Sequence, residues 1–156
     1  PPDGLATLEH CMHITRYTDY SLRVLIYLAV QGDRLATIQE IADSYEISKN
    51  HLMKVVHQLN KRGYVETIRG KNGGMRLNRV PEEINVGILV RETEQDLDLL
   101  ECFSSKDTCK ITPVCGLKPM FAEALEGFLG VLDRYTLADV IQAPHRPQLL
   151  RLLQMA

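Results

Sequence analysis

Residues 37–79 read TIQEIADSYEISKNHLMKVVHQLNKRGYVETIRGKNGGMRLNR, and this stretch decides the fold. Thr37 and Glu40 have the spacing of a capping box, in which each side chain satisfies a free backbone amide at a helix start. Ser48 is a second candidate N-cap, and apolar residues follow it at helical spacing as far as Gly63, a typical helix terminator. About three residues separate the two helices, so the stretch predicts a helix-turn-helix unit.

A β-hairpin is predicted directly after the second helix. Segments 64–68 and 75–77 alternate between apolar and polar residues, and the glycine-rich segment 69–74 between them is typical of a turn. A helix-turn-helix followed by a hairpin is a winged helix. The turn lacks the Gly-Lys-Ser/Thr ending and the following helix of a nucleotide-binding loop, so a nucleotide site is not favoured.

Helical patterns also flank the winged helix. Residues 18–31 carry an apolar stripe for which Thr18 is the expected N-cap, and residues 85–93 carry another. The longest stripe runs through about five turns, at Leu117, Met120, Phe121, Ala124, Leu125, Phe128, Leu132 and Tyr135. Ordinary core packing is one explanation, but the stripe is more apolar than a small domain needs, which favours a coiled-coil dimer seam. Pro144 and Pro147 are expected to interrupt whatever follows.

Charge is distributed unevenly along the chain. The formal net charge is −2, but residues 12–80 hold 11 Lys and Arg against 6 Asp and Glu, whereas residues 81–156 hold 7 against 12. The basic excess is concentrated in residues 49–79, with eight basic residues and one acid. A solvated surface is the simpler explanation, but within a winged helix this concentration favours a polyanion, namely double-stranded DNA.

The candidate DNA contacts are the polar side chains that project outward when the apolar stripe of the second helix faces the core. They are donors suited to base edges and phosphates. On the helix and at its start they are Ser48, Lys49, Asn50, His51 and Lys54, and in the wing they are Arg69, Lys71, Asn72 and Arg76.

Composition excludes several classes of protein. With 45% hydrophobic and 24% charged residues, the chain is not intrinsically disordered. The longest apolar run, residues 24–30, is far shorter than the roughly 20 residues of a membrane span. No secretory signal is recognisable, so a cytoplasmic location is expected. No nucleophile, base and orienting residue form a recognisable set, so an enzyme is not expected.

Four cysteines in a cytoplasmic chain favour metal or redox chemistry over a disulfide framework. Cys11 precedes the periodic part of the chain. Cys102, Cys109 and Cys115 are separated by six and five residues in a polar loop, where cysteines that merely fill a core are not expected. Three thiolates leave a four-ligand site one short. A zinc site with three cysteines and one histidine is the main alternative, but without a CxxC pair iron and sulfide are favoured.

The sequence resembles a bacterial family of winged-helix iron-sulfur transcription regulators that includes IscR, and within it the nitric-oxide-sensitive repressors. The matching segments are ITRYTDYSLRVLIYLA at 14–29, ISKNHLMKVVHQLNKRGYVETIRGKNGG at 47–74, CKITPVCGLK at 109–118 and YTLAD at 135–139. The resemblance extends from Met12 to about residue 140.

The resemblance implies an iron-sulfur cluster held by Cys102, Cys109 and Cys115, with Asp19 of the partner subunit as fourth ligand. It favours a [4Fe-4S] cluster. A [2Fe-2S] cluster remains an alternative, although Lys118 stands where IscR-type members have a histidine ligand. From the residues alone, Asp19 is an acid in the first turn of a helix, where the helix dipole stabilises it.

The function that the resemblance implies is repression of transcription by a homodimer that binds a palindromic operator. Nitric oxide would release the operator by nitrosylating the cluster. A regulator that senses iron or cluster status, or one stabilised by zinc, would share the DNA-binding half. An electron-transfer protein would leave the basic segment unexplained.

The fold class expected is therefore mainly α with a small β-hairpin. Residues 12–80 are predicted to form a winged helix-turn-helix DNA-binding domain, residues 81–142 the cluster-binding loop and dimerisation helices, and residues 143–156 a C-terminal tail. Residues 1–11 show no periodicity and are interpreted as an added sequence or an upstream extension.

Overall fold

The structure is a computed structural model that describes residues 13–142 and 144–155. The extension at residues 1–11, with Cys11, lies outside the described residues. The helices are α1 (Arg16–Gln31), α2 (Ile38–Tyr45), α3 (Lys49–Lys61), α4 (Val86–Thr93), α5 (Leu117–Leu132), α6 (Leu137–Val140) and α7 (His145–Leu152), and the strands are β1 (Val65–Ile68) and β2 (Gly74–Leu77). Short 3-10 turns occupy Pro81–Glu83, Glu101–Phe103 and Thr112–Val114. The predicted fold class, mainly α with one hairpin, is confirmed.

Helix α1 begins two residues earlier than its sequence pattern indicates. Thr15 is the N-cap, and its hydroxyl accepts a hydrogen bond from the backbone amide of Thr18 at 3.3 Å. The prediction that Thr18 caps this helix is wrong, because Thr18 lies inside the first turn and is fully buried. Its hydroxyl donates instead to the hydroxyl of Thr93 at 2.9 Å. The helix ends at Gln31, as predicted.

The helix-turn-helix has the predicted form. The capping box is present, since Thr37 accepts from the amide of Glu40 and the Glu40 carboxylate accepts from the amide of Thr37. Ser48 occupies the N-cap position of α3, but its side chain makes no capping hydrogen bond. After α3 the chain reverses at Gly63, whose φ of 77° is a left-handed conformation that favours glycine.

The hairpin forms a two-stranded antiparallel sheet in which Val65 pairs with Leu77 and Ile68 with Gly74. The segment before α2 adds an isolated bridge to this sheet, because Ala36 and Met75 exchange both backbone hydrogen bonds, at 2.9 and 2.7 Å. The hairpin is thereby anchored to the helix-turn-helix through Met75 of β2, which completes the winged helix.

One hydrophobic core contains residues from most elements of the described chain. It contains buried residues of α1, α2, α3 and the hairpin together with residues from beyond Pro81, among them Ile84, Leu137, Ile141 and Leu153. A smaller cluster of Val86, Val90 and Leu129 joins α4 to α5. Core packing therefore crosses the sequence boundary at Pro81.

Helix α7 follows directly on Pro144. The prediction that Pro144 and Pro147 interrupt the structure is wrong: Pro144 is the N-cap and Pro147 lies in the first turn, where a missing N–H leaves no hydrogen bond unmade. The Arg146 guanidinium donates to the carbonyl of Val30 in α1 at 3.0 Å, and the Ser44 hydroxyl of α2 donates to the carbonyl of Leu153 at 3.0 Å. The last described segment thus packs against α1 and α2.

The contact between α4 and α5 depends on Gly87. A Cβ placed on Gly87 would lie 2.0 Å from a carboxylate oxygen of Asp133 and 2.8 Å from its backbone nitrogen, so only glycine permits this approach. The Arg91 guanidinium donates hydrogen bonds to both oxygens of the Asp133 carboxylate, and this hydrogen bonding lowers the pKa of Asp133. No described helix has the length and apolarity needed to cross a bilayer.

Candidate DNA-binding surface and cysteine loop

The outer face of α3 carries the helix residues predicted to contact DNA. Its inner face is buried in the core through Leu52, Val55, Val56 and Leu59. All five candidates of this helix and its N-cap are exposed: Ser48, Lys49, Asn50, His51 and Lys54. The side chain of His51 lies beside Tyr20 of α1, with ring centroids 6.4 Å apart.

The wing residues are also exposed, but they are not equivalent. Arg69, Lys71 and Asn72 lie in the turn between β1 and β2, and within the described chain neither Arg69 nor Lys71 forms an ion pair. Arg76 differs, because its Nε donates to the Glu66 carboxylate across the hairpin at 3.0 Å. The charge of Arg76 is therefore partly compensated within the wing, whereas those at the tip are open to a phosphate.

One member of the basic segment has a structural role that the sequence did not indicate. The guanidinium of Arg79 lies 4.5 Å from the ring centroid of Tyr64 and donates to the carbonyls of Gly63 and Arg62 at 3.1 and 3.0 Å. Arg79 thus closes the turn between α3 and β1.

A groove of about 390 Å³ lies between α1, α3 and the end of α4. It is lined by Tyr17, Lys54, His57, Gln58, Arg62, Glu92, Thr93 and Gln95. His57 was missed as a candidate contact although it lies three residues after Lys54, a spacing that places two residues on the same face of a helix. The groove therefore extends the basic surface of α3 towards α4.

Asp19, the predicted cluster ligand from the partner subunit, is exposed enough to be reached but already has a partner. Arg23, one turn later in α1, donates to both carboxylate oxygens, from Nε at 3.1 Å and from Nη2 at 2.9 Å. The same guanidinium lies 5.9 Å from the ring centroid of Tyr20 and 5.8 Å from that of Tyr45. Sequence reasoning missed Arg23, although an acid followed by a base at i+4 is the usual signal of such a pair.

The cysteine loop connects α4 to α5 without long regular elements. Cys102 lies in the 3-10 turn Glu101–Phe103, and Cys115 follows the turn Thr112–Val114. Cys102, Cys109 and Cys115 are free thiols; Cys109 is exposed and the other two are half-buried. The Asp107 carboxylate accepts from the amide of Cys109 at 3.0 Å, which orders the middle of the loop. In the described chain no three Cys, His, Asp or Glu side chains lie close enough to hold a metal ion, so the three thiols are not grouped.

The last turn of α4 binds the start of the cysteine loop to the winged helix. The Tyr64 hydroxyl at the root of the wing donates to the Glu92 carboxylate at 2.6 Å. Burial, and secondarily this hydrogen bond, raise the pKa of Tyr64 to about 12, so the hydroxyl remains a donor at neutral pH. Thr93 accepts from Thr18, and Glu94 accepts from the amide and hydroxyl of Thr15 at 2.8 and 3.0 Å. Three consecutive residues therefore connect the loop to the wing and to the start of α1.

Helix α5 has two apolar faces where the sequence stripe suggested one. Leu125, Leu129 and Leu132 pack towards α4. The second face is exposed, and its residues follow each other at intervals of four, three, four and three: Leu117, Phe121, Ala124, Phe128 and Val131. Tyr135, which lies four residues further and just beyond the helix, is exposed as well. Apart from Ala124, they are between 40% and 53% exposed. This alternation is that of the a and d positions of a coiled coil.

A winged helix with an exposed basic recognition helix defines the class of DNA-binding transcription regulators. Residues 14–143 match the sequence profile of the Rrf2 family, described as iron-dependent transcriptional regulators, and the chain belongs to that family. It is a transcription regulator, as the sequence predicts, and not an enzyme.

Individual relatives are consistent with this assignment. The chain is 58% identical to the HTH-type transcriptional regulator NsrR of Bacillus licheniformis over 83% of its own length and 92% of that protein. It is 53% identical to the NsrR of Bacillus subtilis over 92% of its length and 99% of that protein. Among solved structures, T. potens IscR superposes with a TM-score of 0.67 at 25% identity, covering 83% of this chain and 86% of that one.

Proposed function

We propose that this chain is a homodimeric, cytoplasmic repressor that binds a palindromic double-stranded DNA operator, that an iron-sulfur cluster sets its affinity, and that nitric oxide is the signal. The observation that carries the proposal is a loop with three free thiols, joined through the last turn of α4 to both the wing and α1. The two NsrR relatives, both transcription regulators, support the same proposed function.

The residues fit an iron-sulfur cluster in the chemistry of their donor atoms. Cys102, Cys109 and Cys115 supply three thiolates, the usual ligands of iron and sulfide, and none is held in a disulfide. They lie on one segment that has few regular elements, so a bound cluster can order it. Lys118 stands where a histidine-ligated [2Fe-2S] cluster would need an imidazole, and this favours a [4Fe-4S] cluster.

Asp19 of the partner subunit is the proposed fourth ligand. Its carboxylate is held by Arg23 in the single chain, so binding to iron exchanges one charged partner for another rather than burying a free charge. Both groups are partly exposed, and such an ion pair contributes only about 0.2 to 1 kcal/mol, so it opposes ligation weakly.

The exposed face of α5 is proposed to join the two subunits. The a and d spacing of this face suits packing against a second copy of α5. Such packing leaves undisturbed the opposite face of α5, where Leu125 and Leu129 contact α4. In a twofold dimer the two copies of α3 are held at a fixed separation, which a palindromic operator requires.

When bound, the cluster would supply iron atoms that bind nitric oxide strongly. The part played by the protein is mechanical: the thiolates of one chain and Asp19 of the other hold the cysteine loop against the start of the partner's α1. The loop is continuous with Glu92, Thr93 and Glu94, which hold the wing root and α1 of their own chain. Loss of the Asp19 bond would free the two winged helices to change their spacing. To turn a nearly full operator nearly empty takes about 5 kcal/mol of differential affinity.

The proposed DNA contacts have two roles. Lys49, Lys54, Arg69 and Lys71 suit phosphates, because they are exposed and form no ion pair within the described chain. Asn50 and His51 suit base edges in the major groove, since both can donate and accept hydrogen bonds there.

An anaerobic preparation of the full chain tests the proposal directly. We expect brown protein with about four irons and four sulfides per chain, tight operator binding, and loss of both the absorption spectrum and the binding after a nitric-oxide donor. Cys109→Ser should be colourless, whereas Ser105→Ala, an exposed change in the same loop, should leave the spectrum unchanged. A colourless wild-type protein with one zinc per chain would contradict the cluster. Release of DNA on iron removal but not with nitric oxide would contradict the proposed signal.

A further inference from the structure

Met53 is an unusual residue for its position in α3. Half of its surface is exposed, and in α1, α2 and α3, all of which are described, it is the only large apolar side chain with so much exposure. The other large apolar residues of α3 are buried in the core. Half of this apolar side chain is left in water in the middle of a polar helix face, so we look for its contribution in what that face binds.

The position of Met53 places it on the surface that faces DNA. Lys49 lies four residues before it, Asn50 three before and His57 four after, and all three are exposed. Residues at these intervals are neighbours on one side of a helix. Two turns further, Asn60 donates to the carbonyl of Val65 and to the hydroxyl of Thr67 in β1, at 3.1 and 3.2 Å. Met53 thus lies on the same side of α3 as Lys49, Asn50 and His57, and Asn60 connects the end of this helix to the wing.

A thymine methyl group is the one apolar feature that a base pair presents in the major groove. A methionine side chain has three rotatable bonds and a polarisable sulfur, so it can adapt its shape to such a group. We infer that Met53 reads a thymine methyl group in each half of the operator and is a specificity-determining residue of this regulator. The inference rests on the proposed DNA-binding function and adds one recognised base to it.

The neighbouring contact predicts where that thymine lies. Asn50 and Met53 are separated by about 4.5 Å along the helix axis, and stacked base pairs are about 3.4 Å apart. Asn50 is suited to adenine through two hydrogen bonds. Because neighbouring positions of one helix reach neighbouring bases, we expect the thymine contacted by Met53 to lie within about two base pairs of the base contacted by Asn50.

Removal of the thymine methyl group should weaken binding by about the free energy of transferring one methylene-sized apolar group out of water. It amounts to about 0.8 kcal/mol, or roughly fourfold in affinity for one half-site, and about fifteenfold when both half-sites are changed. Met53→Ala should lose about this affinity on the intact operator. It should lose nothing further when the methyl group has also been removed.

The test begins with selection of an operator by the full-length anaerobic protein from a palindromic library of randomised DNA duplexes. Each thymine is then replaced by deoxyuridine, which removes only the methyl group, and affinities are measured for wild type, Met53→Ala, Met53→Leu and Met53→Gln. We expect one symmetric thymine pair whose replacement weakens the wild type and Met53→Leu but not Met53→Ala or Met53→Gln. Lys71→Ala is the control, because a phosphate contact should weaken binding without changing the response to deoxyuridine.

Two results would overturn the inference in different ways. If Met53→Ala responds to every deoxyuridine as the wild type does, Met53 does not read a methyl group, while the DNA-binding proposal stands. If no sequence is enriched from the library, the DNA-binding proposal fails and the inference fails with it. A circular dichroism spectrum and melting temperature equal to those of the wild type will show that Met53→Ala remains folded, as expected for an exposed residue.

Discussion

Single hydroxyl groups join the DNA-binding part of this chain to the segment that leads into the cysteine loop. Thr18 of α1 and Thr93 of α4 are both buried, and the Thr18 hydroxyl donates to that of Thr93 at 2.9 Å. Thr93 in turn donates to the carbonyl of Leu89 at 2.8 Å. The two residues form a short chain of buried hydrogen bonds in which Thr93 is the close acceptor for the Thr18 hydroxyl.

Thr93→Val keeps the shape of the side chain but leaves the Thr18 hydroxyl without its close buried acceptor. We expect the free energy of unfolding to fall by about 1 to 3 kcal/mol, the usual cost of an unsatisfied buried polar group. The double variant Thr18→Val, Thr93→Val should recover much of the loss, because replacement of both partners by apolar groups of the same shape is nearly neutral. Urea unfolding of the two single variants and the double variant measures this. A double variant less stable than Thr93→Val would contradict the assigned pairing.

At the residue scale the sequence predicts exposure well and long-range partners poorly. Helical phase was enough to predict that Lys49, Asn50 and Lys54 face outward, and the structure agrees. The pairing of Thr18 with Thr93 joins residues 75 positions apart, and no local pattern contains it. The sequence predicts Thr18 as a helix cap because threonine favours that position, but in the structure Thr18 is buried and its hydroxyl bonds to Thr93.

Among the elements, α5 has the most extensive apolar surface left uncovered in the described chain. One apolar face packs on α4, and the other is exposed along the whole helix with coiled-coil spacing. Since the exposed apolar area is larger than isolated surface residues explain, a second copy of the helix is its proposed partner.

Phe128→Asp should leave the fold of the single chain intact and weaken the dimer at least about a hundredfold. Phe128 is 48% exposed in the single chain, so the substitution costs the core little. In a symmetric seam two phenylalanines lose their burial, each worth about 1.5 to 3 kcal/mol, and two carboxylates are brought near apolar groups. Analytical ultracentrifugation over a range of concentrations measures the change. Glu123→Lys, an exposed change elsewhere on α5, is the control that should remain dimeric. A dimer of Phe128→Asp as tight as that of the wild type would place the interface on another face.

The helices and the hairpin could be predicted from periodicity and caps, but two features of the elements could not. The stripe of α5 contains both faces, and since Leu125 and Phe128 each continue a helical repeat, sequence spacing cannot say which packs inside the chain. Helix α7 was missed because Pro144 and Pro147 suggest an interruption, although proline is tolerated at a helix start. In both cases the deciding information lies in tertiary packing.

Over the whole molecule, the proposed regulation requires that two distant parts of the sequence meet across the dimer. Asp19 lies in α1, and Cys102, Cys109 and Cys115 lie more than 80 residues later. The described single chain groups no three such side chains for a metal ion, so the sequence pattern and the single chain together leave the ligand set incomplete. Whether Asp19 serves its own chain or the partner's is a property of the assembly, and mixed dimers can separate the two arrangements.

The two arrangements make opposite predictions for two mixed dimers. Asp19→Ala alone should change stability little, because it removes an exposed ion pair worth at most about 1 kcal/mol. If the ligand crosses between subunits, a dimer of an Asp19→Ala chain and a Cys109→Ser chain keeps one normally ligated cluster, since the first chain supplies the cysteines and the second supplies Asp19. A dimer of wild type with the double variant Asp19→Ala, Cys109→Ser then has none. If Asp19 binds within its own chain, the outcomes are reversed. Differently tagged chains, purified anaerobically and compared by absorption spectrum and operator affinity, give the answer, and a normal cluster only in the second dimer would refute the tether between subunits.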